Sequence, residues 1–362
     1  MKKYTLVINP GATSTKASIF EGETEVFTEN ISHPIDEIKK FKEVADQFGY
    51  RKDTILAMVK NHNVELSDIA VVMGRGGLTH PCESGIYRVN DLMKKECAEG
   101  IQGKHACNLG SLIADSIAME LGLECAYIAD PVVVDERPAY AKLSGHPVFD
   151  LDPTYEGNTW HCLNQKMCAK LYAREQGKRY EDVNLIIAHM GGGVSVGCHA
   201  HGKTVEVNRA LCGFGPFSPT RTGYISTNKL IDACFSGKYS KQDILTMITA
   251  EGGFVAYLGT NDAYKVELDA IAGDEKCKLL VDAFCYQVSQ EICKCAAAVK
   301  GKVDGIILTG GIAYSKPWMA QITEQVEWIA PVKVYKGENE MLALAICGNE
   351  ILEGKAEIKE FK

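Results

Sequence analysis

The chain has 362 residues, of which 39 are Lys or Arg and 47 are Asp or Glu, so its formal charge is −8 at pH 7. A nucleic-acid-binding protein needs clustered cations for phosphate contacts, and the acidic balance argues against that class. Hydrophobic residues make up 46% of the chain. We nevertheless expect no membrane partner, because no apolar run reaches the ~18 residues that a transmembrane helix needs.

The cysteines and the N-terminal residues indicate the cellular compartment in which the protein is expected. The chain has 14 cysteines, which are scattered and form no paired C-x-x-C ligand motif. Its opening apolar stretch is too short for a signal peptide. We therefore expect a cytoplasmic protein with reduced, mostly buried thiols.

The first half of the chain has the pattern of an α/β domain. A strand, a glycine turn and a returning strand are followed by helix, strand, helix and strand. The predicted strands are 4–8, 17–20, 69–73 and 125–129, and the predicted helices are 36–62 and 110–121.

The same order starts again about 180 residues later. A strand at 185–188, a glycine turn and a strand at 194–198 repeat the opening, and residues 305–311 repeat 69–77. Two such repeats in one order favour an internal duplication.

The duplication predicts two domains that face each other across a ligand cleft, since ligands of such folds bind at strand ends. The first domain is expected over 1–150, completed by the C-terminal helix and tail at 341–362, and the second over 151–340. Turns at 144–147 and at Asp152-Pro153 mark the expected boundary.

Three glycine turns follow predicted strands and suit phosphate binding. Small residues let backbone N–H groups approach an anion, and hydroxyls and a cation add to the site. The first turn does not match a Walker A loop, because GATSTK lacks the second glycine and the trailing Lys-Ser/Thr pair. The second turn does not match the dinucleotide fingerprint, because it runs into a strand. The residues that meet the requirement are Gly11, Thr13, Ser14, Thr15, Lys16, Gly191, Gly192, Gly193, Gly310 and Gly311.

Two arginines stand in glycine-rich turns, Arg75 in MGRGGLTHP and Arg221 in GFGPFSPTRTG. A guanidinium in such a turn contributes little packing, and its planar fork suits a carboxylate or a phosphoryl group. Asp130 ends a predicted strand, where a carboxylate serves a metal, a substrate or a turn. His161, expected in a helix, and His189, at a strand end, suit either the site or the core. His199 and His201 form an H-x-H pair that we expect to lie on the surface, with zinc binding as the alternative.

These motifs together resemble the acetate and butyrate kinase family, within the actin-like and sugar-kinase ATPase superfamily. The resemblance covers nearly the whole chain, and GRGGLTHP and HMGGG are typical of its butyrate branch. The motifs are INPGATSTK at 8–16, GRGG at 74–77, WHCLNQK at 160–166, HMGGGVSVG at 189–197, PTRTG at 219–223, TGGI at 309–312 and ENEMLAL at 338–344.

The resemblance implies a duplicated actin-like (ribonuclease H-like) fold and reversible phosphoryl transfer from ATP to a short-chain carboxylate, giving ADP and an acyl phosphate. It implies that Asn9 and Glu340 organise Mg²⁺, and that Ser14 and Lys16 touch the terminal phosphates. Arg75 and Arg221 would bind the carboxylate and neutralise the phosphoryl group.

Further roles come from the same resemblance. Asp130 would orient Arg75 or the metal, while His161 and His189 would bond the phosphoryl oxygens. Gly310, Gly311 and Ile312 would border the adenine, and Asp262 would reach the ribose. A homodimer or higher homo-oligomer is expected from the family.

Two alternatives stay open. Another acid, such as isobutyrate, propionate or acetate, is possible because one methylene is worth only ~1–3 kcal/mol of discrimination. A nucleotide-dependent switch of the actin and chaperone type is the alternative from another class. Such a switch has no need for both Arg75 and Arg221.

Overall fold

The computed structural model describes residues 3–152, 154, 156–211 and 213–362. Pro153, in one of the predicted boundary turns, lies outside the described residues. The chain forms two compact units. Unit 1 comprises Met1–Asp135, Val148–Gly157 and Asn339–Lys362, and unit 2 comprises Glu136–Pro147 and Asn158–Glu338.

The strands are β1 Tyr4–Pro10, β2 Ser14–Glu21, β3 Thr24–Ser32, β4 Ile69–Gly74, β5 Ile86–Arg88, β6 Tyr127–Ala129, β7 Leu185–Met190, β8 Val194–Ala200, β9 Lys203–Val207, β10 Gly305–Gly310, β11 Val332–Lys336 and β12 Ile358–Glu360. The helices are α1 Ile35–Ile38, α2 Phe48–Asn61, α3 Asp91–Glu99, α4 Asn108–Glu120, α5 Cys162–Glu175, α6 Thr227–Cys234, α7 Lys241–Thr249, α8 Gly253–Leu258, α9 Ala263–Ile271, α10 Glu275–Ala298, α11 Lys316–Val326 and α12 Glu340–Leu352.

The sheet of unit 1 has the order β12-β5-β6-β4-β1-β2-β3. Strands β1, β2 and β3 form an antiparallel meander, with Asn9 opposite Lys16. Strand β4 pairs with β1 in parallel, so that Gly74 lies beside Ile8. This pairing brings the turn after β1 and the glycines after β4 to the same edge of the sheet, where parallel strands end.

The sheet of unit 2 has the order β11-β10-β7-β8-β9. Strands β7, β8 and β9 form the antiparallel meander, and β10 pairs with β7 in parallel. The order β10-β7-β8-β9 therefore matches β4-β1-β2-β3 of unit 1. The predicted duplication of one α/β design is confirmed by this topology.

Each sheet buries apolar residues on both faces. In unit 2, Ile186 and Leu308 belong to the core under α10 and α11, while Ile187 and Ile307 belong to the core under α5. The alternation follows from the two-residue period of a strand. In unit 1 the central strand β1 buries Leu6 and Ile8 with α2 and α4, and α12 packs against β1 and β4.

Two sequence expectations are wrong in detail. The single helix expected over 36–62 is divided, because α1 ends at Ile38 and α2 begins at Phe48. Between them the Asp46 carboxylate accepts a hydrogen bond from the Glu43 amide, a local bond that competes with helix formation. His199 is buried rather than on the surface, with its ring nitrogens bonded to Tyr180 and Gln165.

The cysteines follow the expectation from composition. Ten of the described cysteines are buried, as expected. Burial raises the pKa of the Cys285 thiol to about 12, so this sulfur stays protonated at neutral pH. Among the described residues, the helices are too short or too polar to cross a bilayer.

Candidate active site

The turn between β1 and β2 presents the predicted phosphate-binding groups. The Ser14 carbonyl oxygen accepts a hydrogen bond from the Gly11 amide at 2.8 Å, which closes the turn. Within the described chain, the hydroxyls of Thr13 and Ser14 and the ammonium of Lys16 have no hydrogen-bond partner. These three groups are therefore available to an anion.

Thr15 faces the interior instead. Its side chain is fully buried, and its hydroxyl lies 2.7 Å from Nε2 of His33 and accepts a hydrogen bond from Arg51. Consecutive residues of a strand point to opposite faces, so Ser14 and Lys16 cannot share the orientation of Thr15. The predicted contact of the Thr15 hydroxyl with phosphate does not fit this geometry.

Sequence reasoning missed Arg51 and His33, which lie beneath this turn. Arg51 lies in α2, and although arginine is mostly an exposed residue type, its side chain is fully buried. Burial and then the Arg51 charge lower the pKa of His33, so its ring is neutral. A basic residue between apolar helix positions gives only a weak signal of burial.

Arg75, Asn9 and Glu340 form a polar cluster in unit 1. The Arg75 guanidinium lies 3.0 Å from the Glu340 carboxylate and donates to Oδ1 of Asn9 at 3.2 Å. The Asn9 amide donates to the same carboxylate at 2.8 Å. Glu340 is 3% exposed, so its charge needs these two donors. The structure thus brings together three predicted residues from β1, the end of β4 and α12.

Asp130 follows β6 in an unusual backbone conformation, with φ at 42°. Its carboxylate accepts hydrogen bonds from the Ser84 hydroxyl at 2.5 Å and from the Gly85 amide at 3.0 Å. A non-glycine residue in the left-handed region is strained and persists where its surroundings hold it. The bonds to Ser84 and Gly85 supply that constraint, and the role of orienting Arg75 stays a prediction.

In unit 2, the rings of His161 and His189 are stacked with their centroids 3.7 Å apart and nearly parallel. His161 is the residue before α5, not within it as expected, and His189 lies near the end of β7. The Nε2 atom of His189 is 3.4 Å from the Glu338 carboxylate. The two predicted histidines therefore form one aromatic pair.

Hydrogen bonds fix the tautomer of each ring. The Thr309 hydroxyl donates to the Gly337 carbonyl, so it accepts a hydrogen bond from the Asn164 side-chain amide. The same amide group donates to Nδ1 of His189 at 2.9 Å. Both lone pairs of the Ser195 hydroxyl accept N–H groups, so its proton goes to Nδ1 of His161 at 2.8 Å. With these partners on Nδ1, the proton of a neutral ring lies on Nε2, which makes Nε2 a donor.

Replacing Asn164 by Asp is expected to move the His189 proton. A carboxylate accepts from Nδ1–H, so Nδ1 would become protonated, and turnover should fall about 10- to 100-fold, as for lost orienting partners of histidine ligands. Nitrogen-15 chemical shifts of the His189 ring report the proton position. Asn228→Asp, at an exposed site, is the matched control. Unchanged ring shifts in Asn164→Asp would contradict the tautomer assignment.

Arg221 is held against the glycine turn that follows β7. A Cβ atom on Gly193 would overlap Nη1 of Arg221 and lie 3.4 Å from the His161 ring. The Ser218 hydroxyl accepts from the Arg221 amide and donates to the Gly192 carbonyl at 2.7 Å. Gly193 is thus required for the close approach of the guanidinium, which places Arg221 beside the histidine pair.

A cavity of about 330 Å³ lies beside the same turn within unit 2. This volume is at the lower end for small-molecule sites, and aromatic side chains in the wall suit a flat heterocycle. The lining residues are Gly191, Gly192, Pro219, Thr220, Asn261, Ala263, Tyr264, Glu267, Gly311, Ile312, Tyr314, Ser315 and Trp318. Four predicted nucleotide-binding residues therefore share one cavity.

Asp262 is not among the residues that line this cavity. Its carboxylate accepts from the Lys265 amide at 3.0 Å and caps α9, while its neighbour Asn261 lines the cavity. A ribose contact of Asp262 stays a prediction. A larger cavity of about 750 Å³ in the same unit, lined by Glu206 and Lys294, includes none of the predicted site residues.

Gly310→Ala is expected to destabilise unit 2. Gly310 has φ at 94°, and an added Cβ would lie 2.7 Å from the Met190 nitrogen. The strained backbone conformation and the steric overlap together cost roughly 2–5 kcal/mol of unfolding free energy. Gly311→Ala is the matched control, since open space surrounds its Cβ position. Equal urea midpoints for the two variants would contradict this account.

The predicted metal site has a suitable donor set. Magnesium takes oxygen ligands, commonly one or two carboxylates completed by water and substrate phosphates. Asn9 and Glu340 supply an amide oxygen and one carboxylate. Among the described residues no group of three or more His, Cys, Asp or Glu side chains could hold a metal ion by itself. The residues fit Mg²⁺ when a nucleotide supplies the remaining ligands.

Comparison with known proteins places these features in a family. The family model described as the acetokinase family matches residues 158–350. Butyrate kinase 2 of Clostridium acetobutylicum is 49% identical over 362 residues, with all of both chains covered. A probable butyrate kinase of Clostridium botulinum is 48% identical over 359 residues, which is 99% of each chain. The chain belongs to the acetokinase family.

Solved structures of more distant acetokinases share the fold. Acetate kinase of Porphyromonas gingivalis superposes with a TM-score of 0.73 at 16% identity, over 97% of this chain and 100% of that one. A propionate kinase of Francisella tularensis has a TM-score of 0.73 at 17% identity, over 95% and 98%. The expected actin-like, duplicated α/β fold of this acetokinase family member is confirmed.

Proposed function

We propose that the chain transfers the γ-phosphoryl group of ATP reversibly to butyrate, giving butyryl phosphate and ADP. The observation that carries this proposal is the 48–49% identity, over 99–100% of the chain, to proteins named butyrate kinase and probable butyrate kinase. The polar groups in unit 1 and the aromatic cavity in unit 2 support it, because the reaction needs an anion site and a nucleotide site.

Unit 2 binds the nucleotide in this proposal. The adenine enters the cavity lined by Tyr264, Ile312 and Trp318. The glycines of the turn at 191–193 give the phosphates access to backbone N–H groups. Arg221 and the Nε2–H donors of His161 and His189 stabilise the negative charge on the transferring phosphoryl group.

Unit 1 binds the carboxylate and phosphate oxygens. Arg75 positions the acid through the fork of its guanidinium, and the turn at 11–16 receives phosphoryl oxygens. A carboxylate is already a nucleophile at neutral pH, so the reaction requires no general base. Catalysis then consists of alignment and charge neutralisation of a loose transition state.

Asn9 and Glu340 would hold the magnesium ion of Mg-ATP. The ion neutralises phosphate charge when it is bound. Asn9 and Glu340 also bond Arg75, so the same two side chains orient the guanidinium. We further propose a cytoplasmic homo-oligomer with two domains, predicted from the sequence over 1–150 with 341–362 and over 151–340. The compact units differ from these bounds, since unit 2 takes Glu136–Pro147 and unit 1 extends through Val148–Gly157.

Acyl phosphate formation tests the function directly. The full chain is incubated with Mg-ATP and hydroxylamine, and the acids run from formate through acetate, propionate and butyrate to isobutyrate and valerate. We expect the hydroxamate yield to peak at the four-carbon straight chain. A peak at another acid would keep the reaction and change the substrate. Binding of ATP without any hydroxamate would favour the nucleotide-switch alternative.

A further inference from the structure

A buried guanidinium supports the phosphate turn from inside unit 1. Arg51 donates to the carbonyl oxygens of Ala12 at 3.1 Å and Ser14 at 2.8 Å, to the Thr15 hydroxyl at 3.0 Å, and to the Gln47 side chain at 2.9 Å. One fully buried side chain thus holds the turn at three points, at Ala12, Ser14 and Thr15.

All four acceptors of Arg51 are uncharged. Within the described residues no carboxylate pairs with this guanidinium, and the titratable groups that face it are His33 and Tyr50. Burial lowers the pKa of Arg51, which reflects the cost of removing its charge from water. A buried cation is ordinarily paired, because an unpaired one costs several kcal/mol. This charge therefore needs another counter-ion.

Hydrogen bonds on the buried side of the turn between β1 and β2 determine the direction of its backbone N–H groups. Arg51 holds the Ala12 carbonyl, and the His33 amide donates to the Thr13 carbonyl at 2.8 Å. In a planar trans peptide the next N–H points opposite to the carbonyl. The amides of Thr13 and Ser14 therefore point away from the residues that hold these carbonyls, in a turn where Ala12 and Thr13 are exposed.

We propose that Arg51 is a positioning residue of the phosphate turn, and that a phosphoryl group bound at Thr13 and Ser14 is the counter-ion of its charge. The inference rests on the proposed function for the source of that group, which is ATP or an acyl phosphate. Arg51 acts through the turn rather than by touching the ligand, since it contacts the turn from the buried side.

Arg51→Met tests the proposal, because methionine keeps most of the volume and removes the charge. Dissociation constants of the full chain for acetyl phosphate and for Mg-ATP are measured by calorimetry, together with the amide shifts of Thr13 and Ser14 during each titration. We expect at least about tenfold weaker binding of the ligand that occupies the turn, the magnitude typical of a lost charge partner. The ligand-induced shifts of both amides should disappear.

A purely structural role would give a different result. Arg51→Met would then unfold at a lower temperature and still bind both ligands as the wild type does, which would overturn the proposal. Arg179→Met is the matched control, since Arg179 is exposed and pairs with Asp182, and its affinities should not change. If Arg51→Met does not fold, Arg51→Lys tests the proposal instead, because lysine keeps the positive charge and lacks the planar guanidinium. Its binding should weaken about threefold to tenfold, and wild-type binding would overturn the proposal.

The two ligands identify the source of the phosphoryl group. Weaker binding of acetyl phosphate alone indicates the acyl phosphate, and weaker binding of Mg-ATP alone indicates the nucleotide. The result is independent of the acid series. If no acid is phosphorylated, the proposed function fails, yet the comparison of Arg51 variants still decides the role of Arg51.

Discussion

Arg221→Ala is expected to lower kcat by about 10³, the lower end of the effect of a transition-state arginine in phosphoryl transfer. The guanidinium lies against Gly193 beside the histidine pair, where it can meet charge that develops on the phosphoryl group. The affinity for ATP should change less than about threefold, because Arg221 does not line the aromatic cavity. Steady-state kinetics and calorimetry with Mg-ATP measure the two quantities separately.

The loop that carries Arg221 should survive the substitution. Its bonds to Ser218 involve the Arg221 backbone amide and carbonyl, which alanine retains. Arg221→Lys keeps the charge and loses the planar fork, so its turnover should lie between wild type and alanine. Arg179→Ala is the surface control. Near-normal turnover of Arg221→Ala would remove this residue from the mechanism.

Arg75→Met is expected to reduce kcat/KM for the acid by about 10²–10³, because the fork that positions the carboxylate is lost. The same change removes a partner of the buried Glu340 carboxylate, which costs roughly 3–5 kcal/mol of unfolding free energy. Loss of activity and loss of stability therefore coincide in this variant. Urea unfolding and acid-dependent kinetics have to be measured together.

A double variant separates the two effects. Arg75→Met with Glu340→Gln removes the uncompensated charge, so much of the unfolding free energy should return. Activity should stay low, because neither the guanidinium nor the carboxylate is restored. If the double variant regains both stability and turnover, Arg75 serves the fold of unit 1 and not the acid.

The glycine turns could be predicted from the sequence because their signals are local. A run of buried β-branched residues followed by glycine predicts a strand end, and a repeat of that pattern predicts the duplicated sheet order. Arg75 and Arg221 were identified for the same reason, since each stands among glycines within a few residues. The resemblance then connected Asn9 with Glu340, which lie 331 residues apart and are joined by a hydrogen bond.

Other features depend on contacts that no local pattern reports. Thr15 is a residue type that suits phosphate binding. Only its position in the register of β2 turns its hydroxyl inward. Arg51 is a charged residue of a helix, and the packing of α2 against β2 buries it. His199 is buried because every residue of β8 is covered, so the alternation that would mark a surface strand is absent from that strand. Long-range packing decides each of these cases.

The discontinuity of unit 1 has a consequence for biosynthesis. Unit 2 ends at Glu338, whereas unit 1 requires Asn339–Lys362, a segment that a ribosome makes after unit 2. Until β12 emerges, β5 is an unpaired sheet edge, which is a template for aggregation. Most of unit 1 is made before unit 2, yet unit 2 can complete its fold first, because unit 1 still lacks Asn339–Lys362. During synthesis the residues of unit 1 therefore stay incompletely folded, and open to aggregation, for longer than those of unit 2.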